Sequence, residues 1–151
     1  MVAGAIPWWL TRWEGREAPY WIPLRVFGVF LIAGGMMTIV PAFLRFVVEG
    51  LGTPAPIAPT ERLVVGGLYR YVRNPMYVAV TAIILGQGLL LGRAVLFVYA
   101  ATIYAAFASF VHWYEEPALT RRFGRQYAAY KDAVPAWCPS PRLLMRRRTT
   151  D

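Results

Sequence analysis

The chain has 151 residues, of which 58% are hydrophobic and 16% charged, and its mean hydropathy of +0.42 lies beyond the usual range of soluble domains. Three or four spanning helices would use most of this length, so a single membrane domain is expected. The net charge of +8 argues for a cytoplasmic membrane face rather than nucleic acid, because the basic residues flank apolar runs.

Residues 1–21 predict an interfacial segment. Pro7-Trp8-Trp9-Leu10-Thr11-Arg12-Trp13 is too short to cross a bilayer, and its tryptophans favour the headgroup level. The start lacks the basic stretch and continuous apolar run of a secretory signal and reads as a mature N-terminus. A first span is expected over 22–48. Its uncharged core, Val26 to Leu44, would cover about 28 Å as a helix. Arg25 and Arg45 can snorkel to opposite interfaces, Gly28, Gly34 and Gly35 permit close approach of another helix, and Pro41 predicts a bend.

Residues 49–75 read as a cytoplasmic loop, in which Pro54, Pro56 and Pro59 exclude a continuous helix. Further spans are expected over 76–92 and 94–112. Only Leu-Gly-Arg separates their apolar runs, which predicts a tight antiparallel hairpin that returns Asn74 and Glu115 to one membrane face. Gln87, between Gly86 and Gly88, is expected to hydrogen-bond between helices. Residues 117–133 predict one amphipathic helix with Leu119, Phe123, Tyr127 and Tyr130 on a stripe, followed by a basic tail over 134–151.

The expected fold is thus an all-α integral membrane bundle of about three transmembrane helices, with an interfacial N-terminus and an amphipathic cytoplasmic helix. Arg62, Arg70, Arg73, Arg121, Arg122, Arg125, Lys131, Arg142 and Arg146 to Arg148 mark the loop and C-terminus as cytoplasmic. Lys131 is the only lysine, and the excess of arginine over lysine with abundant alanine, valine and glycine suggests a GC-rich bacterial genome, so the expected location is a bacterial inner membrane. Cys138 is alone, so neither an internal disulfide nor metal ligation is expected.

Two stretches carry chemistry. In Gly67-Leu68-Tyr69-Arg70-Tyr71-Val72-Arg73-Asn74-Pro75-Met76-Tyr77, Asn74 suits a helix N-cap and Pro75 the first helical position. Arg73 and Tyr77 then add donors for a carboxylate or phosphate at the positive end of the helix dipole; interfacial anchoring is the plainer reading of the same residues. Glu115-Glu116-Pro117 places adjacent carboxylates at a membrane boundary, where they need cationic or hydroxyl partners. A ligand ammonium or ribose would serve, as would Arg121, Arg122 or the loop arginines. Together the two stretches suit a zwitterion. His112, one turn before Glu116, is either a proton carrier or an interfacial contact.

GLYRYVRNPMY, then EEPAL some forty residues on, then FGRQYAAYKDAVPAW resembles the isoprenylcysteine carboxyl methyltransferase and phospholipid methyltransferase superfamily. The likeness covers roughly Gly52 to Pro139. It implies a membrane enzyme that uses S-adenosylmethionine to methylate a lipophilic acceptor (a carboxylate, amine or thiol), with the Phe-Gly-x-x-Tyr-x-x-Tyr helix packed over the cofactor. Arg73, Pro75, Tyr77, Glu115 and Glu116 occupy the family's motif positions. Arg73 and Glu116 are the expected catalytic residues, and Tyr69 and Asn74 complete the candidate cofactor-binding set. Asn74 stands where the family often has histidine, and an asparagine cannot act as a base near neutral pH. The competing readings are a non-enzymatic membrane scaffold, packing through small-residue faces such as Ala101 and Ala105, and a nicotinamide-dependent lipid reductase.

Overall fold

The computed structural model of the chain describes residues 2–12, 22–50, 63 and 66–138. The proline-rich part of the expected loop, Trp13, Arg62 and the basic residues beyond Cys138 lie outside the described residues. All regular structure within them is helical: α1 (Ala5–Thr11), α2 (Ile22–Gly50), a 3₁₀ turn (Gly67–Arg70), α3 (Pro75–Leu91), α4 (Ala94–Phe110), a π turn (Val111–Glu115), α5 (Glu116–Phe123) and α6 (Arg125–Ala133).

Among the described residues, two stretches are long and apolar enough to cross a membrane. They are Ile22–Leu44 and the continuous helical run Ala94–Phe123, in which no acidic, lysine or arginine residue occurs before Glu115. Only 17% of the most apolar part of either stretch is buried. A core helix of a soluble protein would hide most of these side chains, whereas here Phe30, Met37 and Val98 stand 69%, 78% and 68% exposed. Such faces call for lipid around them. At 17 residues, α3 is shorter, about 25 Å as a helix. These helices fit a membrane helical bundle.

The chain forms two compact units. The first comprises Met1–Ile39 and Tyr77–Phe110. Within it α3 and α4 make the tight hairpin the sequence predicts: Gly92 takes φ +64°, a conformation that favours glycine, and Arg93 N–H donates to the Gly88 carbonyl at 3.2 Å. Glycines bring α2 and α3 together. A Cβ placed on Gly86 would lie 2.6 Å from the Gly28 carbonyl oxygen, and one on Gly35 2.6 Å from Ile83 Cγ1. Gly28, Ile32 and Gly35 on α2 thus face Ala79, Ile83 and Gly86 on α3, each set spaced to share one helix face. Gly34 has open space where its Cβ would be and takes no part in this crossing.

Gln87 is hydrogen-bonded, but not between helices as expected, because its partner lies in the turn before α1. Its Nε2 donates to the Ala3 carbonyl at 2.7 Å, and the Tyr99 hydroxyl donates to the Val2 carbonyl at 3.0 Å. The N-terminal segment is therefore tied into this unit, with Pro7 fully buried on α1 while Trp8 and Trp9 remain exposed.

The second unit comprises Val40–Met76 and Val111–Asp151. Here one expectation is corrected: the single amphipathic helix over 117–133 is two helices, α5 and α6, broken at Gly124. Gly124 has φ +49° and ψ −121°, which L side chains avoid, so the stripe drawn through Phe123 and Tyr127 does not continue as one helix face. The end of the third span also differs. Pro117 has no N–H for the Trp113 carbonyl and its ring crowds that oxygen, so the backbone widens into a π turn over Val111–Glu115 instead of continuing as α-helix.

Candidate functional site in the second unit

The 3₁₀ turn, entered through Gly67 at φ +56°, leads into the short link before α3. That link is held by the segment after α6. Arg73 N–H donates to the Pro135 carbonyl at 2.9 Å and Asn74 N–H to the Ala136 carbonyl at 3.2 Å. The Asn74 side-chain amide donates to the same Ala136 oxygen at 3.2 Å. Pro75 follows as the first residue of α3, where its missing N–H costs nothing. The backbone on both sides of Arg73 is thereby fixed.

Glu116 enters from the start of α5. Its Oε1 accepts a hydrogen bond from Arg73 Nη1 at 2.8 Å, and its Oε2 accepts one from Lys131 Nζ at 2.6 Å. Arg73 Nη1 also donates to the Tyr127 hydroxyl at 3.2 Å. The side chains of Arg73 and Glu116 are only 11% and 13% exposed, whereas Lys131 is 46% exposed. The Arg73–Glu116 pair is therefore shielded from water and salt, and the outer pair with Lys131 is not. Helix α6 supplies both remaining partners because Tyr127 and Lys131 lie one turn apart on one face. Tyr130, on the same helix, donates its hydroxyl to the Tyr69 carbonyl at 2.6 Å.

The electrostatics follow from this arrangement. Burial pushes the Glu116 carboxyl up, but the hydrogen bonds from Lys131 and Arg73 and the two positive charges outweigh it and hold the group below its ordinary value. Glu116 is thus an anion at neutral pH and a poor proton acceptor. Burial raises Tyr69, with the Glu115 charge adding to it. Burial also raises Tyr127 and Tyr130. All three tyrosines remain neutral at physiological pH.

One polar atom in the cluster is left over. Arg73 Nε is buried and has no hydrogen-bond partner among the described residues. A guanidinium offers five donors in a planar fork, and Nε shares an edge with Nη2. Nη1 serves Glu116 and Tyr127, so the unserved edge matches a carboxylate or phosphate in geometry and charge. Leaving a buried donor unmade costs about 1–3 kcal/mol, and an acidic ligand at that edge would recover it.

The predicted residues therefore separate. Arg73 and Glu116 meet directly. Glu115 ends the π turn, and Asn74 and Pro75 form the buried backbone support. Tyr69 is buried against Ala42, Leu68 and Met76 and contributes its carbonyl to α6. Tyr77 belongs to the first unit, where its ring stacks on Phe107 with centroids 4.6 Å apart. His112 is exposed within the π turn, as are Arg121 and Arg122 on α5, so neither of these arginines is the partner of Glu116. Its partners are Arg73, one of the loop arginines expected, and Lys131, which the sequence marked only as one positive charge among many. Its spacing from Tyr127 was the available signal.

Replacing Asn74 by alanine is expected to cost about 1 kcal/mol, since the Ala136 carbonyl keeps only its backbone donor. Thermal unfolding in detergent would show a modestly lowered midpoint. An unchanged midpoint would mean the amide is not holding the C-terminal segment.

The phospholipid methyltransferase family model matches residues 24–126, more than half of the 151 residues and inclusive of Arg73 and both glutamates. No curated protein and no solved structure matches the chain.

Proposed function

The chain belongs to the phospholipid methyltransferase family, and from that premise we propose that it transfers a methyl group from S-adenosylmethionine to a lipophilic acceptor at the cytoplasmic face of the membrane. The observation that carries the cofactor reading is the buried, unpartnered Nε of Arg73 beside the ionised Glu116. A cation with an open donor edge next to a carboxylate is what a ligand bearing both a carboxylate and an ammonium requires.

When bound, S-adenosylmethionine supplies a methyl group already activated on a sulfonium, so catalysis rests on positioning and electrostatics. Arg73 takes the carboxylate along its Nε edge, and Glu116 takes the ammonium. Tyr127 orients the guanidinium, and Tyr130 and Asn74 hold α6 and the following segment against the site. Because Asn74 spends its amide on a backbone carbonyl, this position supplies no base, and an amine acceptor must arrive neutral or lose its proton elsewhere. Exposed Arg121, Arg122 and Arg125 support the cytoplasmic assignment of this end and suit anionic lipid headgroups.

Two measurements on purified protein test the reading. Calorimetry with S-adenosylmethionine is expected to give saturable heat, and labelled methyl transfer into membrane lipid extract is expected to give a labelled lipophilic product. Absence of saturable heat would return the protein to the scaffold reading; binding of NADPH in its place would favour the reductase.

A further inference from the structure

Both carboxylate oxygens of Glu116 are occupied, Oε1 by Arg73 and Oε2 by Lys131, while Arg73 keeps a buried donor open. A zwitterionic ligand therefore meets an asymmetric site. Its carboxylate finds an unserved edge, but its ammonium can reach Glu116 only if a cation already there gives way. The two cations differ in how firmly they are held. Arg73 is 11% exposed, bound also to Tyr127, and fixed through its backbone N–H by Pro135. Lys131 is 46% exposed and reaches Glu116 on a flexible four-carbon stem.

We propose that Lys131 occupies the subsite of the ligand's ammonium group, as an internal stand-in that the α-ammonium of S-adenosylmethionine displaces from Oε2 of Glu116. The inference rests on the cofactor reading above and deepens it. The exchange is charge-neutral at the site, with one ammonium leaving and one arriving. No proton moves, and Glu116 stays ionised throughout. Displacement is cheap, because half-exposed lysine pairs contribute little and the released ammonium regains its hydration. The device also discriminates: a ligand without an ammonium has nothing to put in place of Lys131 and does not compete with it.

The test compares S-adenosylmethionine with methylthioadenosine, which carries the nucleoside but neither ammonium nor carboxylate, on the full chain in detergent. Lys131→Met removes the competing charge and nearly preserves length. It is expected to bind S-adenosylmethionine roughly 1.5- to fivefold more tightly, the range an exposed ion pair spans, with methylthioadenosine unchanged. Lys131→Arg keeps a cation on Glu116 and is expected to show no such gain. Weaker binding of S-adenosylmethionine by Lys131→Met would overturn the proposal and make Lys131 a positioning residue for Glu116. Equal changes for both ligands would overturn it as well, since they would report altered docking of α6. A wild-type protein that binds neither ligand fails at the cofactor reading itself, which separates the two claims.

Discussion

Replacing Arg73 by lysine is expected to weaken S-adenosylmethionine binding roughly ten- to hundredfold, while thermal unfolding in detergent stays close to that of the wild type. The two effects separate because the guanidinium does two things with different atoms. Its charge and Nη1 hold Glu116 and Tyr127, and a lysine ammonium can keep the first of these contacts. Its Nε edge holds nothing within the described residues, and lysine has no counterpart to that edge. Losing a hydrogen bond to a charged group removes about 1.5–3 kcal/mol, hence the expected range of affinity.

Glu116→Gln is the complementary variant. It leaves Arg73 and Lys131 with no negative charge between them in a partly buried site, so binding and stability should fall together. The folded pKa of Glu116 is depressed, so its stabilisation is complete above the ordinary value of 4.5 and is lost as pH falls through the lower folded value. Measurements near neutral pH are free of that titration. If Arg73→Lys bound the methyl donor as tightly as wild type, the open edge would not be the ligand's, and the site assignment would fail with it.

The spans and the meeting of Arg73 with Glu116 were legible in the sequence for a simple reason. Apolar runs too long for a loop must be helical in lipid, and two of them separated by Leu-Gly-Arg have to return side by side. The direct pairing of the arginine and the acid is the loop-arginine alternative that the sequence left open for Glu116, since the spacing only required both to reach one face. What remained hidden depends on backbone detail or on distant carbonyls. Gly124 breaks the last helix because it adopts a positive φ, yet a glycine inside an amphipathic pattern is equally often just tolerated. Pro117 widens the preceding turn to π, and no hydrophobic period registers that. The anchors of the link before α3 are the carbonyls of Pro135 and Ala136, and those of the N-terminal segment are the carbonyls of Val2 and Ala3. Every residue type carries a carbonyl, so none of these contacts leaves a compositional trace. Lys131 was visible only as charge, because its distance from Glu116 depends on the break at Gly124.

The same contrast between pattern and backbone detail sets the other large effect, in the first unit. Gly86→Ala is expected to destabilise the protein by about 1–3 kcal/mol, and Gly34→Ala to leave it unchanged or raise it by less than about 1 kcal/mol. Both glycines sit inside long apolar helices, where alanine is intrinsically the better helix former, so propensity alone predicts the same sign for both. Packing separates them. The new methyl at Gly86 would lie 2.6 Å from the Gly28 carbonyl oxygen and 3.1 Å from the backbone nitrogen of Ile32, whereas at Gly34 it meets nothing within 4 Å. Besides Ile32 Cγ1 at 2.8 Å, the obstacles at Gly86 are backbone atoms of α2, which cannot rotate aside as a side-chain tip would, so α2 and α3 must move apart. In lipid the association of helices rests on close van der Waals contact and not on expelling water, so a separation of even a few tenths of an ångström weakens the facing contacts of Ala79, Ile83 and Gly35 together. Unfolding midpoints of the two variants in the same detergent decide the matter: equal shifts would mean that α2 and α3 do not cross at these glycines.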